Sequence, residues 1–394
     1  LSVNFDQEIS RKESGSIKWN PQLIEKWCGF SGENVDSFWV ADMDFLCPQP
    51  VREAVEKVAQ HGIYGYSDFT SSYYDSVIGW YRRRFGCEVK REWICYSNGI
   101  VPALNYIIQS RCRPGDKLLL QTPVYYPFLE AVRDHGLEMG DAPLRSTPVG
   151  YEMDLEALER QAADPKAKIM FLCSPHNPVG RVWNRQELTA VMEICRKHQV
   201  LVVADEIHCD IVFGESKHIT LLSMTEYLDN VIVCSSPSKT FNIAGLQTSN
   251  IIIPNDAIRK DFCQTLHANG ILLPNPFGAA AAQAAYEQGE EWLEQLLRYL
   301  EGNLDAMEEY ISANMPGCQW QRPQGTYLAW LRFADRPDSA WRKKQLEEVG
   351  KIALDHGSIF GQAGEEFERI NFACPRRVLL RGLEKMKRSL YPEI

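Results

Sequence analysis

Asn177, Asp205, Lys239 and Arg369 lie far apart in the chain but are residue types that do chemistry together. Lys239 follows an apolar run at 231–234 and the small residues Ser235, Ser236 and Ser238, with no acid anywhere in 231–247 to pair it. A lysine at the mouth of a buried strand loses its proton by desolvation and becomes an amine nucleophile, and neighbouring hydroxyls suit an anion such as phosphate. Asp205 ends the apolar run 201–204 and opens Asp205-Glu206-Ile207-His208-Cys209-Asp210. A buried aspartate is costly unless a cation meets it. That cation is either a metal, since Asp, Glu, His and Cys are all ligand types, or the protonated ring nitrogen of an organic cofactor. Against the metal stand the irregular spacing and strand alternation, which puts Asp205 and His208 on opposite faces.

Three further stretches follow apolar runs. Ser97-Asn98-Gly99-Ile100-Val101-Pro102 is a glycine turn opening a helix, whose free N–H groups suit a phosphate. Thr122-Pro123-Val124-Tyr125-Tyr126-Pro127 offers an aromatic face. In Ser174-Pro175-His176-Asn177-Pro178-Val179-Gly180 two prolines fix the backbone around the Asn177 amide. Each residue also has a plain structural reading. A lone lysine in a polar turn is a surface residue, Arg369 by itself is an ion-pair partner for Glu365 or Glu366, His208 is a satisfied core histidine, and Tyr66 is a packing aromatic. Cys173, Cys209 and Cys234 read as small buried hydrophobes. The joint occurrence of the four polar residues in order favours the functional reading.

The elements that must hold them alternate. Strands are expected at 93–96, 118–120, 168–173, 201–204, 231–234 and 250–253, most too uniformly apolar to have a wet face. Helices are expected at 48–61, closed by Gly62, at about 101–108, and at 185–198, where Asn184 and Glu187 form a capping box. Such alternation predicts an α/β fold, a mainly parallel sheet covered by helices on both faces. In such sheets ligands sit beyond the carboxyl ends of the strands, where the candidates cluster. From about residue 276 long helices take over, at 277–288 and 291–313. A smaller α+β unit follows: strand 327–333, helix 338–355, strand 368–373 and a last helix from 376. The division expected is a large unit over 47–289 and a small one from 1–46 plus 290–394.

Composition narrows the partners. The 394 residues carry a formal charge of -10 with a pI near 5.4, the wrong sign for nucleic acid. Arg82-Arg83-Arg84 reads as one solvated helix face. Twelve cysteines without a Cys-x-x-Cys pair suggest neither a zinc site nor a disulfide framework, and point to a reducing compartment. With no apolar run of bilayer length, a cytoplasmic protein with no membrane partner is expected.

These motifs resemble those of the pyridoxal-phosphate enzymes of the aspartate-aminotransferase fold, fold type I. The matching residues are Asn177-Pro178, Asp205 with His208, Ser236-Pro237-Ser238-Lys239, and Arg369 within Arg-Ile-Asn-Phe-Ala-Cys-Pro. Within that family the chain is similar to the C–S lyases of the cystalysin and MalY/PatB cystathionine β-lyase type. The similarity rests on Asp42-Met43-Asp44-Phe45, Gly65-Tyr66-Ser67, Asp205-Glu206-Ile207-His208, Ser238-Lys239-Thr240-Phe241-Asn242-Ile243 and Thr326-Tyr327-Leu328-Ala329-Trp330.

The resemblance implies a seven-stranded large domain and pyridoxal 5'-phosphate as cofactor. It implies that Lys239 holds the cofactor and moves the substrate's Cα proton, and that Asp205 keeps the ring nitrogen protonated. Tyr125 would stack on the ring, Asn177 and His208 would bond its phenolic oxygen, and Ile100 and Val101 N–H groups with Ser236 and Ser238 would hold the phosphate. Arg369 would clamp the substrate carboxylate, and Tyr66 would reach in from the second chain of a homodimer. Tyr66 or Tyr125 would protonate a leaving thiolate. One departure stands out: Gln247 occupies the region after the lysine where many members have arginine, and no Lys or Arg follows before Arg259. The reaction implied is β-elimination from an S-substituted cysteine such as cystathionine. Amino-group transfer on the same scaffold, and a regulatory or interaction role, remain open at this point.

Overall fold

The computed structural model describes residues 3–148 and 150–392. Its centre is a seven-stranded sheet in the order Ile94–Ser97, Ser249–Ile252, Val231–Ser235, Leu201–Asp205, Ala167–Cys173, Lys117–Leu120, Glu138–Asp141. The last five strands of that order run parallel, and Ser249–Ile252 is antiparallel to both its neighbours. Both faces are covered, as the uniformly apolar runs require. Leu118, Leu120, Ile169, Phe171, Leu201, Val203 and Ile232 face one core. Leu119, Met170, Leu172, Val202, Ala204, Val231 and Val233 face the other. Each fully buried Val or Leu contributes roughly 1.5–3 kcal/mol. Leu201–Ala204 therefore offsets the cost of ending the same strand on a buried carboxyl.

Register brings the chemistry into line. Asp205 pairs with Cys173 on one side and Cys234 on the other, so the carboxyl ends of three strands finish at one level. Beyond them the chain turns: Glu206 to Asp210 is no longer strand, and Pro237–Thr240 is a short helix capped by the Ser236 side chain.

A four-stranded antiparallel sheet, ordered Gln319–Trp320, Leu328–Arg332, Phe367–Asn371, Asp355–His356, forms the second layer. Asp36–Ser37 pairs in parallel with Ile352–Ala353, tying the early chain to this part. Helices Glu290–Asn314 and Arg376–Leu390 pack on each other. The helix Gln49–His61 packs on Pro276–Gln288, and Gly278 in the latter stands against Thr248 and the Leu246 carbonyl, where a Cβ would clash.

Three expectations need correction. The stretch 338–355 is not one helix. It is Ser339–Lys344, a wider turn at Gln345–Val349, and then the two short strands, because Lys351 takes a left-handed φ of 51° that no helix continues through. The seventh strand, Glu138–Asp141, carries glycine and two acids and is partly exposed, so it lacks the apolar signature. Arg82 to Arg84 do not share a face, since consecutive helix positions lie about 100° apart. Arg82 meets exposed Glu88, whereas Arg84 turns inward to Glu294 at 2.6 Å and buried Asp210 at 3.8 Å.

Candidate functional site

Beyond the strand ends lies a cavity of about 200 Å³. Its lining includes Ile100, Val101, Tyr125, Asn177, Asp205, His208, Ser236, Ser238 and Lys239, nine of the residues singled out from the sequence. Asp205 and His208 both face it, against the expectation from alternation, because the strand stops at Asp205 and the chain curls.

Lys239 is partly buried, and its Nζ donates to the Ala41 carbonyl at 2.5 Å. Burial pushes the amine down to about 8, with the Asp42 carboxylate opposing and the Arg369 cation assisting. The carbonyl it meets is held from several sides. Tyr327 also donates to it at 2.9 Å, and the Asn371 amide donates to the carbonyls of Val40 and Asp42 on either side. Asn242, at φ 57°, donates to Met43 and Phe45 carbonyls and accepts from the Met43 N–H. Asp42 is paired with Arg11 at 2.6 Å, and Lys18 sits 3.6 Å away. The segment 40–45, whose Asp42-Met43-Asp44-Phe45 carried part of the family resemblance without a role, is thus the clamp that positions the lysine.

On the far wall, burial pushes the Asp205 carboxyl up to about 7, while an N–H from Ile207 at 3.1 Å and the charge of Lys239 pull the other way. Its neighbour Glu206 is engaged elsewhere, accepting from the Leu221 N–H at 2.9 Å and meeting His218 at 3.1 Å. Among the described residues no three His, Cys, Asp or Glu side chains converge as metal ligands. His208 is held far below its ordinary value, first by burial and then by Lys239 and Arg369, so it is neutral. Its Nδ1 is buried without a partner, as is Asn98 Oδ1.

At the opposite end, helix Ile100–Arg111 opens with N–H groups that have no carbonyl a turn behind them. Gly99 makes the entry at φ 153°, where any Cβ would also stand 3.2 Å from the Pro102 ring. Ser236 Oγ donates to the Thr248 carbonyl at 2.8 Å and accepts from the Ser238 N–H at 3.1 Å. Gln247 lines this end, and Arg259 is turned away to the Ile253 and Pro254 carbonyls and Asp256. Lys239 is therefore the lysine or arginine in the cavity lining.

Arg369 borders the cavity through Asn177, whose Oδ1 accepts from Nη1 at 3.1 Å. Nη2 donates to the Trp39 carbonyl at 2.7 Å and to Asp355, and the guanidinium lies 5.0 Å over the Phe360 ring. Its ion pair is thus with Asp355 and not Glu365 or Glu366. Glu366 binds Arg332, and Glu365 accepts from Ser339. The Nε–H is buried without a partner. Tyr66 is fully exposed and absent from the lining of this chain's own cavity.

A carboxyl forced up by burial and without an ion-pair partner, an unpartnered histidine nitrogen, an amine whose proton is loosened by burial and a free helix start all ask for one ligand with a protonated ring nitrogen, a polar ring substituent, an aldehyde and a phosphate. Pyridoxal phosphate fits that set. The Ala41 carbonyl and Asp355 went unnoticed in the sequence, and Asn98 was seen only as part of its turn: a backbone oxygen has no residue signature, and Asp355 fell in a stretch read as helix.

Comparison with known proteins gives the same direction. The family model for aminotransferase class I and II matches residues 37–386. The chain is 37% identical over 393 residues to cystathionine β-lyase PatB of Bacillus subtilis (strain 168), covering 98% of this chain and 100% of that one. Cystalysin of Treponema denticola, whose crystal structure contains pyridoxal 5'-phosphate, superposes with a TM-score of 0.96 at 32% identity, with both chains fully covered. A pyridoxal-phosphate-bound putative aminotransferase of Clostridium difficile 630 gives 0.95 at 38% identity, covering 98% of this chain and 100% of that one.

Proposed function

This chain belongs to the aminotransferase class I and II family, as a pyridoxal-phosphate enzyme of the C–S lyase and cystathionine β-lyase group acting on an amino acid, and we propose that it cleaves cystathionine or another S-substituted L-cysteine by β-elimination. The observation that carries this reading is Lys239, an amine lowered to about 8 on one wall of a cavity whose other wall is an unpaired Asp205.

When bound, pyridoxal phosphate supplies an electron sink for the pair left as the Cα proton departs. The chain's own residues do the rest. Lys239 would hold the cofactor and would take the Cα proton with the amine that here donates to the Ala41 carbonyl. Asp205 holds a proton on the ring nitrogen, and Tyr125 lies against the ring. Asn177 and His208 bond its phenolic oxygen. Ile100 and Val101 N–H groups with Ser236 and Ser238 hold the phosphate, at less positive charge than an arginine would give. Arg369 offers its open Nε–H to the substrate carboxylate. Burial pushes the Tyr125 hydroxyl well up, so it stays protonated at neutral pH and can protonate a leaving thiolate, as can Tyr66. The released enamine hydrolyses to pyruvate and ammonia.

Tyr66 acts across a homodimer. Ile63, Tyr64, Tyr66, Leu272 and Leu273 are exposed apolar residues, and the Tyr64 ring lies 5.5 Å from Phe277 in the helix that follows Leu273. A second copy covers them and carries Tyr66 into the neighbouring site. Residues 47–289 form the cofactor-holding domain, 1–46 with 290–394 the smaller one, and the enzyme works in the cytoplasm.

The test is pyruvate release by the purified protein from cystathionine, cystine, cysteine and alanine, with no keto acid added. Release from the sulfur compounds and not from alanine is expected. Amino-group transfer occurring only when a keto acid is supplied would replace this reading with the aminotransferase one, which the likeness to the Clostridium difficile protein favours.

A further inference from the structure

Two thiols outside the cavity face each other at the sheet's edge. Cys95 lies on the edge strand Ile94–Ser97, Cys263 lies on the helix Asp256–Ala268, and their Sγ atoms are 3.6 Å apart. Cys95 is buried, whereas Cys263 is the one exposed cysteine of the twelve. We propose that Cys263 and Cys95 form a thiol–disulfide exchange site for small, carboxylate-bearing disulfides, in which Cys263 attacks and Cys95 resolves.

The geometry assigns the order. Only Cys263 is open to an incoming disulfide, and it borders a groove of about 500 Å³ lined also by Glu92, Tyr96, Arg259, Lys260 and His267. Lys260 is exposed there and offers a cation to a carboxylate, beside the acids Asp68, Glu92 and Asp256, the last of which is paired with Arg259 at 2.5 Å. A hydrogen bond from Cys95 is the main cause that draws the Cys263 thiol down to about 7, and the Arg259 cation adds to it. Burial pushes Cys28 and Cys112 the other way, up to about 12. Forming the bridge needs the sulfurs to close to about 2.05 Å. Cys95 is suited to that move, because its strand pairs on one side only.

In the first step the Cys263 thiolate attacks one sulfur of the disulfide RSSR, the S–S bond breaks, and RS⁻ leaves. Cys95 then gives up its proton and attacks the Cys263 sulfur, expelling a second RS⁻. Two protein thiols are oxidised to one disulfide, one small disulfide is reduced to two thiols, and the protein's two protons end on the RS⁻ groups. Cys95 stands two residues before Ser97, where this strand turns into Asn98-Gly99-Ile100 at the cavity wall. The state of the pair is thus written on the element that carries that wall. None of this depends on the reaction proposed above.

The experiment incubates the cofactor-loaded enzyme with oxidised glutathione, reads intact mass, and maps peptides without reduction. The wild type is expected to lose two hydrogens and yield a Cys95–Cys263 linked peptide that dithiothreitol reverses. Cys95→Ser is expected to stop as a glutathione adduct on Cys263, and Cys263→Ser to react more than about tenfold more slowly. Each of three results would overturn the proposal: an adduct that persists on Cys263 in the wild type, modification led by another cysteine, or no reaction at all.

Discussion

Replacing Lys239 with methionine is expected to abolish turnover and yet stabilise the cofactor-free protein. The amine titrates near 10.5 when free and at about 8 in the folded chain, chiefly because it is buried. Below 8 the unfolded chain binds the proton more tightly, so protonation opposes folding, and stability rises with pH between the two values. At pH 7 the penalty is about 3.3 kcal/mol, falling to about 1.4 kcal/mol at pH 9.5, from the linkage relation at 1.36 kcal/mol per pH unit. Methionine of similar length removes the whole penalty but also loses the bond to the Ala41 carbonyl, worth about 1–1.5 kcal/mol. The variant is therefore expected to be about 2 kcal/mol more stable than wild type at pH 7 and nearly equal to it at pH 9.5. Urea unfolding of both cofactor-free proteins at the two pH values measures it. A gap that stays constant with pH, or a wild type more stable at pH 7, would refute the argument that desolvation sets the state of this amine.

Other side chains give sharper readouts of single roles. Asp205→Asn keeps the shape but not the charge, so cofactor should still bind while kcat falls by about 10²–10³, read by absorbance and steady-state kinetics on one sample. Arg369→Lys keeps a charge and loses the planar fork, so kcat/KM for cystathionine should drop by roughly 10–100-fold, mostly through KM, as loss of a charge-assisted bond of about 1.5–3 kcal/mol requires. His356, between Glu347 at 3.0 Å and Glu368 at 2.7 Å, is held up at about 9 by those two acids against the opposing effect of burial. Its contribution is full below pH 6.5 and is lost as pH rises through 9, so the cost of His356→Gln should shrink by about 3 kcal/mol between pH 6 and pH 10 in urea titrations.

What the sequence made legible was whatever leaves a repeating or joint pattern. The runs at 169–173, 201–204 and 231–234 are apolar at every position because both faces are covered, and this alone announced a parallel sheet and the level of its strand ends. Lys239, Asp205 and Asn177 follow those runs directly, so finding the strands found the residues. What stayed hidden depends on neighbours distant in sequence. Asp355 meets Arg369 only because Asp355–His356 is hydrogen-bonded beside Phe367–Asn371, and nothing at 338–355 reveals that the helix breaks at a left-handed Lys351. The edge strand Glu138–Asp141 lacks the pattern because it lies at the rim.

The pairing of Arg369 with Asp355 also says how the site stays folded while waiting for substrate. A buried guanidinium with no carboxylate is costly, and Asp355 with the Trp39 carbonyl supplies the missing partners. Burial nonetheless pushes the Asp355 carboxyl up, against the pull of Arg369, so its charge is held at some cost. A substrate carboxylate arriving at the free Nε–H puts a second anion on the same cation and pushes Asp355 higher still. On the role proposed for Arg369, Asp355 would then take up a proton or its bond to Arg369 would loosen, and in either case the arginine's charge would pass from an internal partner to the substrate. The same logic runs through the whole cavity. His208 Nδ1 and Asn98 Oδ1 are left without a partner by the fold itself, the charged forms of Lys239 and Asp205 are disfavoured by burial, and one ligand relieves these deficits together. Free energy withheld from folding is thereby available to binding, in a cavity whose lining among the described residues holds one lysine and no arginine.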